Sequence, residues 1–133
     1  MIEAAPRAGA VYDGFLPGPR PIDAYGSGGF RFADMSHRGS LLALPSGMHA
    51  WAPRLASEID EAALAAVFAE RSDIDLLLVG TGVDLILLPA ALKWRLADLG
   101  LRAEAMQTGT AARTYNILLG ERRRVAAALL VVE

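Results

Sequence analysis

From residue 74 onward the chain reads as strand, helix, strand, helix, strand, and this alternation limits the fold more than any other feature. The stretch "IDLLLVGTG" reads as an apolar strand from Ile74 to Val79, unbroken from Leu76 onward, the pattern of a strand covered on both faces, and Gly80-Thr81-Gly82 ends it. "LPAALKWRLADLG" places Pro89 at the start of a helix and Gly100 just past its end, with Leu92, Leu96 and Leu99 on the buried side. "RAEAM" is a short strand, residues 110–119 form a helix stopped by Gly120, and "RVAAALLVV" is a last buried strand. Strands joined through helices run parallel, with right-handed crossovers.

The first half reads differently. "PIDAYGSGGFRFADMSHRGSLLALPSGMHAWA" gives short antiparallel strands joined by turns, with a bulge or sharp bend expected at the glycines of positions 26, 28 and 29. Residues 57–71 predict the clearest helix: Ser57 as cap, acids in the first turn, and Ile59, Ala63, Leu64, Val67 and Phe68 as one apolar stripe. The expected fold is therefore α/β: a single three-layer domain, a mixed β-sheet flanked by helices, with antiparallel N-terminal strands followed by βαβαβ. With 133 residues there is room for one domain, set at 21–133. Residues 1–20, broken by Pro6, Pro17 and Pro19, are expected to be an irregular arm.

Composition closes several chemistries. No cysteine is present, so disulfides, thiolate nucleophiles and cysteine-ligated metals are excluded. The formal charge of -2 gives no drive toward nucleic acid, which is not expected as a partner. Lys93 is the sole lysine, and the histidines at 37 and 49 have no spacing suited to a metal. No metal and no cofactor are expected. The N-terminal twenty residues have neither the apolar core of a secretory signal nor the acid-free character of a mitochondrial presequence, which predicts a cytoplasmic protein. No apolar run reaches the roughly 20 residues needed to span a bilayer.

Two glycine-threonine turns are the candidate site. Gly80-Thr81-Gly82 follows a buried strand, but a dinucleotide fingerprint would need glycine at 85, where the chain has leucine. Thr108-Gly109-Thr110 precedes a helix whose free N–H groups attract anions, and Arg113 in its first turn suits a carboxylate or phosphate. The plainer reading, and the expected one, is that Thr108 or Thr110 caps the helix and Arg113 pairs with a nearby acid. Tyr115 is expected as a core aromatic with a tied hydroxyl, and Asn116 as a brace for a loop. Ser46 and His49 lie close in sequence, yet no nucleophile elbow surrounds them, and a structural or surface histidine is expected. The run "LILL" at 85–88 fits either core or a patch that grips a partner.

The segments "DAYGSGGFRF", "GSLLALPSGMHAW", "DLLLVGTG" and "EAMQTGTAARTYNILLGERRRVAAALL" together resemble one family. It is the small α/β domain family of unassigned biochemical function that includes bacterial stand-alone proteins and the mitochondrial complex I assembly factor 3. The likeness runs from about residue 20 to the C-terminus, and the ordered set "VGTG", "E-x-M-x-T" and "A-x-R-T-Y-N" is its most specific part. Resemblance implies helices around a central mixed sheet, a role in assembling a respiratory complex for the mitochondrial relative, and no accepted catalytic set. Its family-typical loop residues here are Gly80, Thr81, Gly82, Met106, Thr108, Ala111, Arg113, Thr114, Tyr115 and Asn116. With Gly109 and Thr110 added from the turn, the expected crevice is lined by Gly80, Thr81, Gly82, Met106, Thr108, Gly109, Thr110, Arg113, Tyr115 and Asn116.

The function expected is a non-enzymatic interaction or assembly module. It would have a protein partner, a homo-oligomer as one option, and membrane association through a partner only. The alternative is a binder or enzyme for a small phosphate or carboxylate, using the helix start at Thr108-Gly109-Thr110 with Arg113.

Overall fold

The computed structural model describes residues 14–133. Of the expected irregular arm, residues 1–13 lie outside the described residues. Just beyond them, Phe15–Pro17 is a strand, β1.

Five short strands follow: β2 (Ala24–Gly26), β3 (Gly29–Phe32), β4 (Met35–Arg38), β5 (Ser40–Leu44) and β6 (Gly47–Trp51). The parallel half then supplies α1 (Ala65–Ala69), β7 (Leu76–Gly80), α2 (Ala90–Asp98), β8 (Arg102–Met106), α3 (Thr108–Gly120) and β9 (Val125–Leu129). Six strands make one mixed sheet in the order β1-β6-β5-β9-β7-β8, and β2-β3-β4 make a separate antiparallel sheet. The α/β fold expected from the sequence is the fold observed.

Strand β7 pairs in parallel with both β8 and β9, while β9 meets β5 antiparallel. Because β8 lies on one side of β7 and β9 on the other, the two crossovers run in opposite directions, and their helices fall on opposite faces. Leu92 and Leu96 of α2 pack with Leu77 and Val79 on one face; Ala111, Ala112 and Tyr115 of α3 pack with Leu78 on the other. The period of two along β7 divides it between the two cores. Phe30 and Phe32 of the small sheet join the α3 face, completing a third layer that helices alone do not fill.

Of the bulge or sharp bend expected at the glycines of positions 26, 28 and 29, the structure has the sharp bend, a hairpin turn. Gly26 pairs with Gly29, and Ser27 (φ 53°) and Gly28 (φ 88°) both take the left-handed region. This is the two-residue turn whose twist suits antiparallel strands. Ala33 and Asp34 repeat it between β3 and β4.

The segment expected to form one helix over 57–71 is broken into a 3₁₀ turn at Ala56–Glu58, the short α1, and a second 3₁₀ turn at Arg71–Asp73. Side chains have drawn the backbone away from a continuous helix. Glu58 Oε1 accepts the amides of Arg54 (2.8 Å) and Leu55 (3.0 Å), Asp60 Oδ1 accepts that of Ala63 (2.8 Å), and Trp51 Nε1 donates to the Ala63 carbonyl (2.8 Å). Acids expected to favour a first turn thus serve turns of their own.

Candidate functional site

Gly80, Met106 and Leu129 stand in register at the carboxyl ends of the three parallel strands, so the segments that follow emerge side by side. The two glycine-threonine turns meet there through their own hydrogen bonds. Gly82 N–H donates to Thr108 Oγ1 (2.9 Å), Thr108 N–H donates to the Gly82 carbonyl (2.9 Å), and Thr81 N–H donates to the Met106 carbonyl (2.8 Å). The Thr108 hydroxyl gives its proton to the Leu130 carbonyl at 2.9 Å. Helix α3 begins at Thr108, two residues earlier than expected, with Gln107 as N-cap and no side-chain cap bond. Thr108 therefore neither caps its helix nor faces solvent; it fastens three strand ends together.

Gly80 lets Thr108 come this close. A Cβ on Gly80 would lie 2.9 Å from Thr108 Cα and 2.9 Å from Leu129 Cδ2, inside van der Waals contact. Thr81 is also buried, its hydroxyl donating to the Asp84 carbonyl (2.7 Å) and accepting the Ile86 amide (3.0 Å). Both bonds shape the loop that leads to α2.

Above this closed junction lies an open cleft of about 340 Å³. Of the expected residues, Gly82, Gly109, Thr110 and Arg113 line it, whereas Gly80, Thr81, Met106 and Thr108 are not among its lining. Its remaining walls are Tyr25, Val83, Gln107 and Val132, which the sequence reading did not single out. Tyr25 leans from β2 across to α3, where its phenol end sits against Gly109; any side chain at 109 would meet it. An aromatic beside a glycine turn in "AYGSGG" is the one sequence signal that pointed toward it.

Tyr115 and Asn116 lie elsewhere. The Tyr115 hydroxyl donates to the Arg20 carbonyl at 2.9 Å, and burial pushes its pKa above the usual phenol value. Asn116 accepts the Ile22 amide on Oδ1 (2.8 Å) and donates from Nδ2 to the Ile22 carbonyl (2.7 Å). Both residues brace residues 20–22, and neither lines the cleft.

Ser46 and His49 do touch. Ser46 Oγ lies 2.8 Å from His49 Nε2 and donates to Glu70 Oε2 at 2.6 Å, while the Ser46 amide donates to Glu70 Oε1 at 2.8 Å. With its one proton on Glu70, the serine hydroxyl receives a hydrogen bond from His49, which makes the histidine a donor here and not a base. The contact pins the β5–β6 turn to the end of α1. Among the described residues no group of three or more metal-ligating side chains is assembled.

Fold and site define a small open-sheet α/β domain whose cleft lies past the carboxyl ends of parallel strands. Residues 22–130 match the model of the family described as "Protein of unknown function (DUF498/DUF598)", and the chain belongs to that family. This agrees with the resemblance to a small α/β family of unassigned biochemical function. An uncharacterized protein of Rhodobacter capsulatus is 49% identical over 113 residues, covering 85% of this chain and 86% of that protein. A crystal structure described as an outer membrane protein from Bartonella henselae is 47% identical, with a TM-score of 0.84, over 88% of this chain and 98% of that one. The NMR structure of a Rhodopseudomonas palustris protein is also 47% identical, with a TM-score of 0.81, over 95% and 93% of the two chains. Among the described residues of the present chain, no helix is long and apolar enough to cross a membrane.

Proposed function

We propose that this protein is a non-enzymatic interaction module whose docking element is the loop from Val83 to Leu87. The observation that carries this is the exposure of four aliphatic side chains in one five-residue stretch: Val83, Leu85, Ile86 and Leu87, the last 75% exposed. Leu88, at 8%, turns inward and anchors the run to the core beneath α2. Trp94, farther along α2, is 73% exposed. Aliphatic side chains and a tryptophan left in water in the same part of the chain are the composition that binding energy concentrates on.

The partner that fits such a loop is a protein with an apolar groove. The resemblance to a respiratory-complex assembly factor supports a subunit awaiting assembly as that partner, since such subunits expose apolar faces until they are joined. The cytoplasmic address expected from the sequence belongs to the same proposal.

A photo-reactive phenylalanine analogue at Leu87, used in living cells, tests the reading. One defined adduct is expected, lost when Ile86→Asp is added and absent when the analogue replaces exposed Arg122. No adduct at Leu87, or the same adducts from position 122, overturns the proposal. An adduct with a second copy of this chain makes the loop a homo-oligomer contact.

A further inference from the structure

We infer that the protein forms a twofold dimer in which strand β8 pairs antiparallel with β8 of a second copy, joining two six-stranded sheets into one. Strand β8 is the last strand of the large sheet and has β7 as its one neighbour among the described residues. The strand at the opposite end, β1, is three residues long and ends in Pro17, which has no amide hydrogen to donate. Strand β8 carries five residues in unbroken register with β7, without the proline, lysine or bulge that keeps a sheet edge from pairing. Its two charges, Arg102 and Glu104, are of opposite sign, so they repel a like strand in some registers and attract it in one.

The backbone limits which residues can meet. The Thr81 amide donates to the Met106 carbonyl, so Met106, and with it Glu104 and Arg102, turn their peptide groups toward β7. Ala103 and Ala105 therefore aim theirs outward, where no described residue takes them. Leu101 aims outward too; its amide is held by the Leu96 carbonyl at 2.9 Å, which leaves its own carbonyl for a partner. In an antiparallel pair, outward residues stand opposite outward residues, so the twofold axis passes through a residue and never between two.

Charge then selects the axis. At Glu104 two glutamates would face each other, and at Arg102 two arginines, each a repulsive cross-strand pair. At Ala105, Glu104 would stand opposite Met106, and Arg102 would lie beyond the end of the other strand. At Ala103, Arg102 stands opposite Glu104 of the second copy on both sides of the axis. These are the positions without backbone hydrogen bonds, where facing side chains come closest. Both residues face the α3 side of the sheet, as Leu76 and Leu78 beside them do, with side chains 79% and 56% exposed. Within one chain they approach only to 3.9 Å, so each is open to a closer partner. Ala103 on the axis bonds its own counterpart through amide and carbonyl, and the Ala105 amide reaches the Leu101 carbonyl of the other copy. This inference stands apart from the docking loop, since it uses neither Leu87 nor Trp94.

Sedimentation equilibrium of the full chain over a concentration series, joined to amide hydrogen exchange, tests it. A monomer–dimer equilibrium is expected, and the Ala103 and Ala105 amides should exchange about tenfold more slowly at high concentration than on dilution. Arg102→Glu and Glu104→Arg each set like charges opposite one another, and each should weaken the dimer about tenfold while amide shifts away from β8 are unchanged. The double variant Arg102→Glu/Glu104→Arg exchanges the two charges and should recover the original dissociation constant to within about threefold. The inference is overturned if the chain stays monomeric throughout the series, if it dimerises without slowing exchange at Ala103 and Ala105, if the single variants associate undiminished, or if the double variant is as weak as they are.

Discussion

Asn116 holds Ile22 by both of its backbone groups, accepting the amide at 2.8 Å and donating to the carbonyl at 2.7 Å. A side-chain amide thereby acts as one rung of a strand ladder between α3 and the chain that enters β2. The small sheet, and Tyr25 with it, follows directly after this clamp. Asn116→Leu keeps the volume and removes both bonds, leaving two peptide groups unpaired at a part-buried position. A loss of about 2 kcal/mol in urea unfolding is expected, together with faster hydrogen exchange confined to residues near Ile22. Unchanged exchange there would show that the clamp is idle.

Thr108 supports a second prediction. Its hydroxyl accepts from Gly82 and donates to Leu130, joining the β7 loop to the chain leaving β9. Thr108→Val is nearly isosteric and leaves a part-buried donor and a buried acceptor without partners, so it should cost about 2 kcal/mol. Thr108→Ser keeps both bonds and should cost less than half as much. Equal losses in the two variants would assign the effect to packing of the methyl group.

Two glycines should respond differently to alanine. At Gly80 the obstructing atoms include Thr108 Cα, which cannot swing aside, so Gly80→Ala should destabilise by about 1–3 kcal/mol. At Gly109 the obstruction is the phenol end of Tyr25, which is half in water and can rotate away. Gly109→Ala should therefore be mild by itself and should stabilise by about 1 kcal/mol in a Tyr25→Ala background, through helix propensity alone. The double-mutant cycle measures the contact; zero coupling would mean that Tyr25 does not rest on α3 in solution.

The contrast between those residues shows what the sequence could disclose. The unbroken run Leu76–Val79, Pro89 and Gly100 around α2, and the small strand Arg102–Met106 are local signals, and the parallel half followed from them. The meeting of the two turns followed too, because strands that share a direction and neighbour one another must end together. Residues 57–71 misled because the acids Glu58 and Asp60 suit a helix start and also suit turns. The choice was made by Trp51, a residue of another element, taking the Ala63 carbonyl. Tyr25 was hidden for the same reason: its place against Gly109 depends on how a separate sheet docks, which no periodicity along the chain encodes. Asn116 was readable as a brace from its chemistry, but the Ile22 backbone it braces was not.

Acid should weaken the fold through the two histidines. His37 is buried with Nε2 2.9 Å from the Ser40 carbonyl, and burial holds its pKa below the ordinary 6.5. Burial lowers His49 as well, with Glu70 pulling in the opposite direction. A histidine whose folded pKa is depressed binds fewer protons folded than unfolded between the two values, so falling pH favours the unfolded chain. Stability should be level above about pH 6.5 and decline below it, until each folded pKa is passed. Glu58 and Asp75, held below the usual carboxylate range by backbone amides and by Arg124 respectively, add their loss only at more acid pH. The urea midpoint followed from about pH 8 to 5 checks this. His37→Gln, which retains a donor for Ser40, should flatten part of the decline, and adding His49→Gln should flatten most of the rest. A midpoint that falls just as steeply in the double variant would place the acid sensitivity on other groups.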